Sequence, residues 1–126
     1  MAKSFKIAIA PTFKSVVQIP RVGSDPLAIT FTFKALDRRE LAKLFTKWQK
    51  EQEALIEGID GYNLEELADK EIEMQVVQLK DIVVGWGFDD MFNDENIEAL
   101  VATAISVTSA IIDQYGEAYS RARTGN

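Results

Sequence analysis

The side chains with the widest chemical range in this sequence are carboxylates. Asp89, Asp90, Asp94 and Glu95 fall within seven residues, and Glu65, Glu66, Asp69, Glu71 and Glu73 within nine. Carboxylates at such spacing can ligate a hard cation or supply a general-acid pair. Neither chemistry is supported by the pattern. The first group lacks the alternating Asp/Asn ladder, central glycine and terminal glutamate of a calcium loop, and its asparagines suit helix capping. The second occupies positions where an amphipathic helix needs a solvated face. The chain contains no histidine and no cysteine, which excludes an imidazole base, a thiol nucleophile, a disulfide framework and a Cys/His zinc site. Gly23, Gly85 and Gly87 lack the spacing of a phosphate cradle. The sequence therefore predicts no catalytic residue, no cofactor and no metal, and a protein that is not an enzyme.

What remains is the chemistry of contact. From Asp81 to Leu100 an apolar helical run breaks at Gly85-Trp86-Gly87, and Phe88, Met91 and Phe92 then alternate with Asp89, Asp90 and Asp94 before a new helix begins. Glycines free the backbone around a large indole, in a segment too short to make its own core. Such a connector plugs into its own domain, where buried aromatics lock helices together, or into a partner. As a partner surface it would use Trp86, Phe88 and Phe92 for apolar anchorage, with Asp89, Asp90 and Asp94 steering basic segments. Trp48 and the pair Tyr115 and Tyr119 are further candidate partner-binding residues, at places where apolar stripes can exceed what the core absorbs.

These residues must be positioned by a β-rich start and a helical remainder. Phe5, Ile7 and Ile9 alternate with polar or small neighbours, Val17 and Ile19 continue the pattern, and Leu27, Ile29, Phe31 and Phe33 share one face of a third run. Residues 20–26, which include Pro20, Gly23 and Pro26, predict a longer loop before that run. The simplest arrangement is an N-terminal three-stranded antiparallel meander. From Asp37 the period becomes helical. Asp37 with Glu40 and Asn63 with Glu66 mark two helix starts over about 37–57 and 64–84, and Asn93 starts a third. The third carries a stripe of Ile97, Leu100, Val101, Ala104, Ile105, Thr108, Ile111, Ile112, Tyr115 and Tyr119. The expectation is one α+β domain over residues 1–126: β-rich at 1–34, three main helices within 37–120, and a flexible polar tail at 121–126.

Charge divides the chain. Residues 1–60 hold 10 Lys/Arg and 7 Asp/Glu, whereas residues 61–126 hold 4 and 13. An acidic half opposes phosphate binding and suits a basic partner, so no nucleic acid is expected. With 47% hydrophobic and 27% charged residues the composition is that of a folded soluble domain. Neither a signal peptide nor a membrane-spanning run is visible, which predicts a cytoplasmic protein without a membrane partner.

The order of these features resembles the tail assembly chaperones of long-tailed, siphovirus-like bacteriophages and prophages. The likeness runs from about Lys3 to Tyr119 and is carried by three stretches: the opening MAKSFKIAIAPTFKSVVQIPRV, the Trp-containing break VVGWGFDDMFNDENIEAL, and the helix end IIDQYGEAY. The resemblance implies a non-catalytic protein of the host cytoplasm. It would bind the tape measure protein, keep that long helical chain soluble during tail morphogenesis, and be absent from the mature virion. It also implies a tail tube partner reached through a frameshifted longer form, and a homo-oligomer is a further expectation. Two other readings are an acidic phage protein that inhibits a host nucleic-acid-binding protein, and a small structural component of the virion.

Overall fold

The computed structural model describes residues 5–124. Its first feature is a long hairpin, β1 (Thr12–Arg21) and β2 (Ser24–Lys34), paired antiparallel from Thr12↔Lys34 to Arg21↔Ser24. The odd-numbered residues of both strands face inward, so Val17, Ile19, Phe31 and Phe33 are fully buried. The expected loop at 20–26 is instead a two-residue turn, Val22-Gly23, made possible by Gly23 at φ +74°. Pro20 and Pro26 lie where the register shifts between Ile19 and Arg21. Neither can donate a backbone N–H, so an irregularity in the ladder accommodates them without breaking the hairpin.

Two expectations about the sheet are corrected. Phe5, Ile7 and Ile9 do not form a strand; the segment carries no ladder and its apolar side chains are exposed. The third strand is β3 (Val83–Trp86), which follows the second helix and pairs antiparallel with β2 through Phe31↔Trp86, Thr32↔Gly85 and Phe33↔Val83. Val84 is the extra residue in that pairing, a bulge that keeps Val83 in the core. The sheet order is β1-β2-β3, and the α+β class stands.

Helix α1 (Arg38–Glu57) begins where the Asp37 carboxylate accepts from the Glu40 N–H at 2.8 Å. Helix α2 (Leu64–Ile82) begins in a full capping box: Asn63 Oδ1 accepts from Glu66 N–H at 2.8 Å, and Glu66 Oε1 from Asn63 N–H at 3.4 Å. A single 3-10 turn at Ile59–Gly61 joins them. Asn93 caps α3 (Asp94–Ala102) through the Asn96 N–H at 2.9 Å.

The expected third helix is two helices, α3 and α4 (Val107–Thr124), meeting at 107°. The apolar spacing does not by itself account for the break. Ile97 and Val101 are four apart, as are Val107, Ile111 and Tyr115, but the step from Val101 to Val107 is six residues. Tyr115 nevertheless lies eighteen residues, about five whole turns, beyond Ile97, so on a straight helix all five would fall on one face. With the break, both sets are buried and Ile105 is 93% exposed. Thr103 Oγ1 donates to Leu100 O at 2.6 Å and helps close the end of α3. Helix α4 continues through the first residues of the expected polar tail, while Gly125 and Asn126 lie outside the described residues, as does Lys3.

One contiguous core results. The inner sheet face meets Leu79 and Ile82 of α2, Ile97 and Val101 of α3, and Val107, Ile111 and Tyr115 of α4, while α1 adds Leu44 and Trp48. Helix α4 packs along β1, and Gln114 Nε2 donates to Ser15 Oγ at 2.7 Å across that contact. The connector between β3 and α3 is thereby held beside the turn end of the hairpin.

Candidate functional site

The connector is a compact aromatic knot. Trp86 projects from the edge strand opposite Phe31, and its indole meets Phe92 at 5.0 Å and Phe88 at 5.1 Å between ring centroids, both edge to face. Phe31 meets Trp86 and Phe88 edge to face from below, each at 6.2 Å. Edge-to-face pairs at these distances are favourable beyond the area they bury. Trp86 Nε1 donates to Asp90 O at 2.8 Å, and Asn96 Nδ2 donates to Met91 O at 2.8 Å. These two bonds curl the segment back on itself, so its exposed groups are presented from a fixed backbone.

Those groups are Asp89, Asp90 and Met91, the last 74% exposed. Asp89 and Asp90 make no side-chain hydrogen bond or ion pair with a described residue. Asp94 accepts from Lys80 Nζ at 3.0 Å, a solvent-exposed pair that ties the start of α3 to the last turn of α2.

Beside the knot lies a mainly apolar cavity of about 290 Å³. Trp86 and Phe88 form one side, Ile19 and Leu27 of the hairpin another, and Ala99 and Leu100 of α3 the third, with Arg21, Asp90, Asn96 and Thr103 supplying polar groups. The volume suits one large apolar side chain from a partner, and concave apolar sites with a few polar groups are where ligands and anchor residues dock. Sequence reading found the aromatic side but missed Leu27, Ala99 and Leu100 as lining residues. Leu27 and Leu100 read as core, and nothing in the sequence marks Ala99.

The other candidate residues lie inside the fold. Trp48 is buried on α1; its Nε1 donates to Asp81 Oδ2 at 3.0 Å, and the same carboxylate takes both contacts of Lys47 Nζ, at 2.7 and 2.9 Å. Tyr115 is 1% exposed. Its hydroxyl donates to Lys34 O at 3.0 Å and lies 2.9 Å from that of Tyr119, which accepts from Leu36 N–H at 2.8 Å. Phe13 stacks on Tyr115 at 5.8 Å and meets Tyr119 edge-on at 6.2 Å. This clasp holds the end of β2 and the start of the link to α1 against α4. Burial, with the hydrogen bond to Tyr119, pushes the Tyr115 phenol well above its ordinary range.

Among the described residues, no group of three or more His, Cys, Asp or Glu could hold a metal ion, and no single helix is long and apolar enough to cross a membrane. No match was found among curated proteins or among solved structures. A family model described as phage tail assembly chaperone matches residues 1–126, the whole chain.

Proposed function

The chain belongs to the phage tail assembly chaperone family, and from that premise we propose that it binds the tape measure protein and keeps it soluble while the tail is built. The cavity of about 290 Å³ beside the Trp86 knot carries the reading, because it offers an apolar side chain of a client helix a preformed seat. Asp90 in its lining and the neighbouring exposed Asp89 attract basic client segments, a long-range effect on encounter, while the apolar seat sets how long the client stays. Trp86, Phe88 and Phe92 shape the seat, and Asp94 fixes the start of α3 through Lys80. Trp48, Tyr115 and Tyr119 act by positioning, since their polar atoms are engaged within the fold. The protein works without catalysis, in the host cytoplasm, and leaves before the virion is complete. A longer frameshifted form would carry the tail tube contact.

A substitution that fills the seat separates docking from folding. Ala99 is exposed on α3 and lines the cavity, so Ala99→Trp blocks it without removing an aromatic of the knot. The expected result is an unchanged circular dichroism spectrum and thermal midpoint together with loss of the tape measure protein from co-purification. Full retention of the client by the folded variant would remove the cavity from the binding surface.

A further inference from the structure

We propose that a second surface, formed by α2 with its neighbours α1 and α3, is a docking groove for a cationic amphipathic helix of a partner chain. This surface presents two concavities of about 310 and 400 Å³, one on either side of the α2 ridge, with Glu73 and Val77 lining both. Its floor is apolar. Met74 and Val77, the latter 44% exposed, stand on the α2 face, and Leu55 of α1 extends the floor on one side. Lys70, Glu73, Met74 and Val77 follow i, i+3, i+4, i+7 along α2, which is the ridge a second helix packs against.

Charge identifies the occupant. The lining of the two concavities carries five carboxylates, Glu51, Glu73, Asp94, Glu95 and Glu98, against the single ammonium of Lys70. Glu95 and Glu98 have no ion pair with a described residue, and Glu73 has only a long exposed contact with Lys70 at 3.8 Å. Glu51 adds a partly exposed carboxylate on the α1 side. Its nearest cation, Lys47 Nζ, is 3.8 Å away and already committed to Asp81. An apolar floor between acidic walls, crossed by a helix ridge, matches a helix with an apolar stripe flanked by Lys or Arg. The groove reaches Asp94, where the connector ends, so one helical client can span both surfaces, yet its chemistry stands without the reading of the connector.

The test uses the full chain and a probe of defined chemistry. The probe is a labelled synthetic peptide of about 15 residues, long enough to be helical when bound, with leucine at i, i+3, i+4, i+7 and lysine elsewhere. A second peptide carries glutamate in place of lysine. The expected result is binding of the lysine peptide alone by fluorescence anisotropy, with amide NMR shifts at Met74, Val77 and Glu98. A Glu73→Lys/Glu98→Lys variant should lose at least about tenfold in affinity, the range of two removed charge contacts, while Ala99→Trp binds as the parent does. Equal affinity in the double variant, shifts confined to the connector, or a peptide that binds only by dissociating a dimer of the chain would overturn the proposal. Failure of Ala99→Trp to release the tape measure protein would instead count against the connector alone.

Discussion

Tyr115 shows how much one side chain can settle. Its hydroxyl is the donor for Lys34 O and the partner of Tyr119, so Tyr115→Phe removes two part-buried hydrogen bonds and should cost about 1–3 kcal/mol in urea unfolding. The same phenol ties stability to alkaline pH. Its folded pKa is raised, so the fold favours the neutral form. That contribution is complete below the unfolded value near 10 and is lost as pH rises above it. Stability should therefore fall above about pH 10, by up to about 1.4 kcal/mol per pH unit from this group, and the fall should be shallower in Tyr115→Phe. Sequence reading could place Tyr115 and Tyr119 four apart on one helix face, but that spacing suits an exposed anchor as well as a clasp. What decides between them is a backbone carbonyl 81 residues away, and a contact at that separation leaves no local trace. Trp48 is the same case, with Asp81 as its distant acceptor.

At the scale of elements, what was legible was what local chemistry dictates. Helix starts at Asp37, Asn63 and Asn93 could be read because a cap and its target are three residues apart. The inward faces of β1 and β2 could be read because alternation is local. Strand β3 was hidden, because Val83 to Trp86 continue the apolar run of α2 and become a strand only by pairing with Phe31 to Phe33. Phe5 to Ile9 misled for the opposite reason: the alternation is present, but among the described residues no partner strand is. The break between α3 and α4 was not legible, because the apolar stripe from Ile97 to Tyr115 keeps helical phase across it. Two substitutions on that stretch test the break. Ile105→Lys should change stability by no more than about 0.5 kcal/mol, as for an exposed site, whereas Ile97→Ala should cost about 2–5 kcal/mol. A comparable loss at both positions in thermal or urea unfolding would indicate an unbroken stripe.

The whole molecule divides its labour between a rigid frame and two outward surfaces. The hairpin and α4 form the frame, sealed by the tyrosine clasp and by Val17, Ile19, Phe31 and Phe33. The connector and the α2 face lie in the acidic half, and both combine carboxylates with apolar concavities. In the role proposed for this member of the phage tail assembly chaperone family, a long helical client would be held by repeated modest contacts, none of them irreversible. In that role net charge would set the rate of encounter and apolar seats the residence time, and the two contributions would respond differently to salt. The most direct measurement is co-expression with the candidate tape measure protein, scored by its soluble yield and by co-purification at low and high ionic strength. The account predicts a soluble complex that survives high salt, with slower formation as its main loss. A complex that dissolves steeply as salt rises, or a tape measure protein that stays insoluble beside the folded chain, would contradict it.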